Sequence, residues 1–128
     1  MAKKKILRSD GAPAPVASYS QAVKAGKFLF CSGQIPIDPR TGALVIGGME
    51  EQTRRVLDNL GAVLEAAEAS FRDVLKCTVF LVDLKDFDVM NGVYATYFDA
   101  SPPARSTVQV AALPRGARVE IEAIALLS

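Results

Sequence analysis

The sequence of 128 residues contains no histidine and no tryptophan, and it has only two cysteines. Without histidine the chain cannot form a Ser-His or Cys-His nucleophile pair, a histidine general base or a histidine-containing zinc site. Cys31 and Cys77 stand in separate apolar runs without Cys-x-x-Cys spacing, so we predict buried, reduced thiols rather than a metal pair or a redox couple. Any chemistry must therefore use other groups.

Long apolar runs and a strong excess of charge are also missing. No window approaches the roughly 18 apolar residues that a membrane span needs, and no apolar signal-peptide core follows the basic N-terminus. Lys and Arg total 15 and Asp and Glu total 14, which gives no broad field for gathering nucleic-acid phosphates. We interpret the basic run Lys3 to Lys5 as a solvated strand edge or tail. These absences predict a cytoplasmic protein with neither a membrane nor a nucleic acid as partner.

Half of the residues are apolar, which is enough for one core, and residues 1–128 are predicted to form a single domain. Apolar spacings of three and four residues indicate two helices, and short alternating or continuous apolar runs indicate strands. The predicted strands cover residues 4–8, 19–25, 27–32, 75–82, 104–112 and 118–126, and the helices cover residues 49–67 and 86–98. The order β-β-β-α-β-α-β-β is that of an α+β domain with a mixed sheet and two helices on one face.

Two local features and one global feature follow from this pattern. Asp86 is predicted to be the N-cap of the second helix, and Leu75 to share a face with Cys77 in the fourth strand. Several strands are apolar on both faces although two helices can cover only one. A homo-oligomer with inward-facing sheets is therefore predicted, and a monomer with loops over the second face is the alternative.

Charged side chains inside the last two strands are the strongest candidates for chemistry. Arg105 offers a planar, permanently charged fork for a carboxylate, or is a solvated edge-strand charge. Glu120 and Glu122 share a partly apolar face, where the pKa of a carboxyl group can rise towards the range useful for acid–base work, or both face solvent. In a simple hairpin near Arg115, Glu120 would lie roughly 17 Å along the strand from Arg105. The two could then meet only through another strand order, strong sheet curvature or a neighbouring subunit.

Four further positions carry weaker signals. Asn91 places an amide beside the apolar stripe of the second helix, either as a satisfied buried group or as a ligand contact. Tyr19 is either a core ring or a phenol donor that faces a cleft. Ser32 and Gly33 end a strand at a turn, where backbone groups can bind a small molecule unless the turn is a plain one. No phosphate loop, dinucleotide fingerprint or nucleophile elbow is present.

Four segments in one order and spacing resemble a known family. The segments are Ser32–Pro36, Asn91–Tyr94, Pro103–Val108 and Val119–Ala125. Together they are similar to the reactive intermediate deaminase family (Rid, or YjgF-like), and within it to the RidA subgroup, over nearly the whole chain. The resemblance implies a chorismate-mutase-like fold, assembled as a homotrimer with clefts between subunits. It also implies hydrolysis of 2-imino acids such as 2-iminobutanoate and 2-iminopropanoate, or of their enamine tautomers, to 2-keto acids and ammonia without metal or cofactor. This activity removes intermediates that damage other enzymes.

The resemblance further implies roles for individual residues. The carboxylate-binding arginine falls on Arg105, the water-activating glutamate on Glu120 and the aromatic hydroxyl on Tyr19. Substrate contacts fall on four residues: Ser32, Gly33, Asn91 and Thr107. Many RidA members carry a cysteine at the last of these positions, so this chain supplies a hydroxyl there and no thiol.

Two other functions stay open at this stage. Some relatives are described as endoribonucleases or translation inhibitors, which the near-neutral charge and the missing histidine disfavour. The other is a non-catalytic, ligand-binding or chaperone-like trimer, which the presence of both Arg105 and Glu120 disfavours.

Overall fold

The computed structural model describes residues 3–98 and 100–128 of the chain. Its elements in chain order are β1 (Lys5–Leu7), β2 (Ala22–Ala25), β3 (Phe28–Gln34), α1 (Met49–Ala66), β4 (Val74–Leu81), α2 (Phe87–Tyr97), β5 (Ala104–Gln109) and β6 (Val119–Leu126). The predicted order and the α+β class are therefore confirmed. The second strand begins later than residue 19, because the Tyr19 N–H turns back to donate to the Ala17 carbonyl at 2.9 Å.

The strands of the described residues form one sheet in the order β1-β2-β3-β6-β4-β5. β4 and β5 are parallel, with α2 as the crossover between them, and the other neighbouring strands are antiparallel. The prediction of a simple hairpin between the last two strands is wrong, because β4 lies between β5 and β6 in the sheet. The physical reason is burial: four alternate residues of β6 are at most 3% exposed, which suits a central strand rather than one beside the edge.

Both helices pack on one face of the sheet and enclose the core. The buried residues of α1 recur at the spacing that its amphipathic sequence predicts. The largest fully buried side chains include Leu29, Leu57, Leu60, Leu64, Leu81, Met90 and Ile121. None of the helices within residues 3–98 and 100–128 is long and apolar enough to cross a membrane.

Two local expectations fail, one wholly and one in part. A bulge near the start of β4 makes Leu75 an extra residue and turns it away from the core, so that it is 43% exposed. Asp86 occupies the N-cap position of α2, as predicted, but the expected capping hydrogen bond from its carboxylate is not formed. Instead its Oδ2 accepts a hydrogen bond from Nη2 of Arg118 at 2.8 Å. A one-turn 3-10 helix at Leu84–Asp86 leads directly into α2, so Asp86 already lies in a helical turn rather than in the extended backbone that is usual for an N-cap.

The two cysteines are buried free thiols, as predicted. Cys31 in β3 and Cys77 in β4 both pair in register with Ala123 of β6, which lies between them. Two strand spacings of about 4.8 Å separate their Cα atoms, more than a disulfide spans. Burial is the main cause of a raised pKa at both thiols, about 12 for Cys31.

Part of the sheet face opposite the helices is exposed in the single chain. Phe28, Phe30 and Leu126 on this face are each more than 40% exposed, so the described residues leave this apolar patch open to solvent. Contiguous apolar surface of this kind usually marks an interface. The homo-oligomer stays a prediction, now with a defined surface.

Candidate functional site

Arg105 lies on the helix-covered face of the sheet and contacts α2. It pairs in register with the buried Cys77, so their side chains share a face. Its Nη1 donates a hydrogen bond to Oδ1 of Asn91 at 2.8 Å. Its Cζ lies 4.7 Å from the ring centroid of Tyr94 and 5.3 Å from that of Phe87. Along the chain Phe87, Asn91 and Tyr94 are four and three residues apart, which places them on one side of α2.

The guanidinium of Arg105 has no anionic partner among residues 3–98 and 100–128. None of the ion pairs formed by the described residues includes it. The two titratable groups beside it are neutral, because burial raises the pKa of the Cys77 thiol and of the Tyr94 hydroxyl. The buried hydroxyls of Tyr94 and Thr107 make no well-formed hydrogen bond with the rest of the described chain. An open cleft of about 510 Å³ in front of Arg105, lined also by Asn91, gives an anion access.

Glu120 lies on the opposite, helix-free face. It pairs in register with Phe80, which is three residues from Cys77 along β4 and therefore faces the other way. Its carboxylate packs on the backbone of Gly33, where a bulge interrupts the pairing of β3 with β6. A Cβ at position 33 would lie only 2.7 Å from Oε2 of Glu120, so the close approach requires glycine there.

A cleft of about 520 Å³ surrounds Glu120. Its lining includes Val16, Tyr19, Ser32, Gly33, Arg115 and Glu122. Burial raises the pKa of the Glu120 carboxyl, and the negative charge of Glu122 raises it further. Tyr19 is 49% exposed and lines the cleft rather than the core. The Ser32 hydroxyl donates to the Ser20 carbonyl at 2.6 Å and so ties the loop before β2 to β3.

The structure gathers the predicted residues into two half-sites. Tyr19, Ser32 and Gly33 lie with Glu120, whereas Asn91 lies with Arg105. Thr107 shares the face of Arg105, since it pairs with the buried Val79 two residues further along β4. Arg105 and Glu120 lie on opposite faces of one sheet, so the observed strand order does not bring them together within a chain. A site that contains both residues would therefore need a neighbouring subunit.

Sequence reasoning missed three neighbours of these half-sites. The sequence pattern of Phe87 and Tyr94 is that of apolar core residues of the second helix. Their spacing from Asn91 nevertheless places all three on one helix face. Arg115 lines the Glu120 cleft with a left-handed backbone (φ 60°), and nothing in the sequence indicated that conformation.

Comparison with known proteins agrees with the fold and the motifs. A family model described as endoribonuclease L-PSP matches residues 9–127. A RutC family protein of Pyrococcus horikoshii is 55% identical over 95% of this chain and 97% of its own length. A mouse protein (Mus musculus) named 2-iminobutanoate/2-iminopropanoate deaminase is 50% identical over 96% of this chain and 91% of its own.

The fold comparison gives the same result. The crystal structure of Escherichia coli TdcF with bound serine superposes with a TM-score of 0.93, at 44% identity, and covers 97% of this chain and 99% of that one. The chain therefore belongs to the endoribonuclease L-PSP family, also called the Rid or YjgF-like family, as its motifs predicted.

Proposed function

We propose that this protein hydrolyses 2-imino acids, among them 2-iminobutanoate and 2-iminopropanoate, and their enamine tautomers to 2-keto acids and ammonia. The observation that carries the proposal is the half-buried Arg105 guanidinium, which faces a cleft and has no anionic partner in the described part of the chain. Such a group binds a carboxylate tightly, because a paired charge replaces an unpaired one. The deaminase name of relatives near 50% identity supports the same substrate class.

The active site is proposed to form between copies of the chain in a homotrimer. Arg105 of one copy would face Glu120 of the next, which is consistent with the opposite faces of the two half-sites. The uncovered apolar patch of Phe28, Phe30 and Leu126 supports an interface on the face that carries Glu120. A closed ring of identical copies then completes every site in the same way.

The proposed chemistry divides the work between the half-sites. Arg105 holds the substrate carboxylate and so fixes the position of C2, the imine carbon. The Glu120 carboxylate removes a proton from water as the oxygen bonds to C2 and the C=N electron pair moves to nitrogen. Glu120 then returns this proton to the nitrogen, which gives a carbinolamine. It next takes the proton of the new hydroxyl group and passes it to the nitrogen, so the C=O bond forms as the C–N bond breaks, and ammonia and the keto acid are the products.

The supporting residues have matching roles in this proposal. The pKa of the Glu120 carboxyl is raised in the direction of neutral pH, which suits a group that both takes and returns a proton. Tyr19 offers its hydroxyl from the same cleft, and the backbone at Ser32 and Gly33 lines it. Thr107 lies on the same face as Arg105, and its buried hydroxyl makes no hydrogen bond within the described residues. No step needs a metal or a cofactor, because the imine carbon is already electrophilic.

A reducing, cytoplasmic compartment fits this role. Both cysteines are free, and their positions on the two sides of β6 keep them apart. The threonine dehydratase reaction, which releases 2-iminobutanoate, is a suitable source of substrate for an assay.

The decisive assay couples a threonine dehydratase to this protein and follows the formation of 2-ketobutanoate. We expect micromolar protein to accelerate product formation and Arg105→Ala to abolish the acceleration. No acceleration by the wild-type protein, or full acceleration by Arg105→Ala, would overturn the proposal. Cleavage of RNA by the same purified preparation, lost in Arg105→Ala, would favour the endoribonuclease activity after which the family model is named.

A further inference from the structure

We infer that Phe87 and Tyr94 are positioning residues for Arg105. Their rings, rather than an acidic side chain, hold the guanidinium in place, so its positive charge stays available to the carboxylate of a ligand. The inference rests on the proposed function and deepens it, because it identifies what sets the affinity for the anionic end of the substrate. It also predicts carboxylate binding that is measurable without turnover.

The geometry of the contact is a clamp built on one helix. The Tyr94 and Phe87 ring centroids lie 4.7 Å and 5.3 Å from Cζ of Arg105, well within the range of a cation–π interaction. Asn91 stands between the two rings in sequence and fixes Nη1 through a 2.8 Å hydrogen bond. It is the single hydrogen bond that the Arg105 side chain makes to the part of the chain that the structure describes. Among the described residues the donors on Nε and Nη2 have no partner, which suits a bidentate contact.

Aromatic rings hold the cation without neutralising it. A carboxylate at hydrogen-bond distance would cancel the charge of Arg105 and compete with any anionic ligand for the same donors. A ring attracts the cation through its quadrupole and occupies none of the in-plane N–H groups. Two other groups close to the guanidinium also leave its charge unneutralised. Asn91 is an uncharged amide, and burial keeps the Cys77 thiol protonated.

The clamp is itself held by aromatic packing. Tyr94 is 4% exposed, and its ring centroid lies 4.6 Å from that of Phe98. Phe98 in turn packs edge-to-face on Phe71, with centroids 5.2 Å apart. The Tyr94 hydroxyl makes no well-formed hydrogen bond within the described residues. The contact of Tyr94 with Arg105 that the geometry defines is the one made by its ring.

Ring-removing and ring-keeping variants test the inference. Binding of 2-ketobutanoate to the intact protein is measured by calorimetry, and kcat and KM are measured in the coupled deaminase assay. We expect Phe87→Leu and Tyr94→Leu to weaken keto-acid binding roughly threefold to thirtyfold and to raise KM with little change in kcat. Tyr94→Phe keeps the ring and should bind as the wild type does. Tyr97→Leu is the matched control, since it removes an aromatic ring of the same helix that contacts neither Arg105 nor Tyr94.

Introducing an acidic group gives the complementary test. Asn91→Asp places a carboxylate at the atom that now accepts from Arg105, so it should weaken keto-acid binding more than Asn91→Ala does. The reverse order for these two variants would contradict the inference. Wild-type affinity for 2-ketobutanoate in both ring-removing variants would also contradict it. If Tyr94→Leu does not fold, the result for Phe87→Leu alone decides.

The outcomes separate this inference from the proposed function. Ring-dependent binding of 2-ketobutanoate without any imine hydrolysis would leave the clamp established and refute the deaminase proposal. Imine hydrolysis with a KM that is insensitive to both rings would refute the clamp and leave the deaminase proposal standing.

Discussion

The absence of a side chain at Gly33 determines where the carboxylate of Glu120 lies. Because Oε2 of Glu120 occupies the space that a Cβ would need, residue 33 has a positioning role beyond the backbone contacts that the family resemblance implies. The same carboxylate carries a raised pKa, from burial first and from Glu122 second. Both observations lead to predictions about single residues.

Gly33→Ala should displace the Glu120 carboxylate from its place in the cleft. We expect kcat to fall about tenfold to a hundredfold, since small misplacements of a reacting group are costly, while the far-UV circular dichroism is unchanged. Gly92→Ala is the matched control, because nothing lies within 4 Å of a Cβ at that exposed helical position. It should keep full activity and gain about 0.5–1 kcal/mol of stability. Full activity in Gly33→Ala would show that Glu120 does not need this position.

Glu122→Gln should shift the pH dependence of the reaction. In the proposed mechanism Glu120 acts as a base when deprotonated, so we expect the acidic limb of kcat/KM to lie at its pKa, above that of an ordinary glutamate. Removing the negative charge of Glu122 lowers this pKa and moves the limb to lower pH. The exposed Glu65→Gln, with the same change in net charge, should leave the limb in place. A limb that stays or rises in Glu122→Gln would contradict the assignment of Glu120 as the base.

The raised pKa of Glu120 also has a consequence for folding. The folded state holds this proton more tightly than the unfolded state, so the contribution of the group to stability is present at acidic pH and falls as the pH rises through the folded pKa. At neutral pH the free energy of unfolding of Glu120→Gln should therefore be higher than that of the wild type. At acidic pH the variant should have no such advantage.

At the scale of elements, α2 is the part that positions the Arg105 half-site, and its start is tied to the sheet. Arg118, just before β6, donates from Nη2 to Asp86 at the beginning of α2, and its N–H donates to Oε1 of Gln52 on α1 at 3.2 Å. These contacts join both helices to one end of the central strand.

Asp86→Ala should loosen this connection. The ion pair is partly exposed, so we expect a loss of at most about 1 kcal/mol in the free energy of unfolding, measured by urea denaturation. Glu50→Ala removes the more exposed pair with Arg54 on α1 and should cost about 0.5 kcal/mol or less. Equal and negligible losses in both variants would mean that the Asp86 contact does not stabilise the start of α2.

The elements themselves could be predicted because their signals are local. Apolar spacing in the sequence determines which residues of α1 face the core, and alternation determines that Glu120 and Glu122 share a face. The bulge at Leu75 and the ion pair of Asp86 could not be predicted, since each depends on a partner far away in the sequence. Strand order is non-local for the same reason, and the insertion of β6 beside β4 changes which side chains can meet.

At the scale of the whole molecule, the candidate residues were identifiable from sequence motifs, but their grouping was not. The family resemblance pointed to Arg105, Glu120 and their neighbours as residues of one site. The sheet instead places them on opposite faces, so within one chain they form two separate groups. The aromatic clamp on Arg105 was hidden as well, because Phe87 and Tyr94 have the sequence pattern of ordinary core residues.

Subunit mixing tests the central claim, that one site is assembled from two copies. Arg105→Ala and Glu120→Ala are each expected to be inactive, and they are unfolded together in equal amounts and refolded so that subunits exchange. In a closed ring, random mixing should restore about a quarter of the wild-type specific activity, because one site in four receives an intact Arg105 from one copy and an intact Glu120 from the next. A mixture as inactive as its two components, although exchange of labelled subunits is complete, would contradict the shared site.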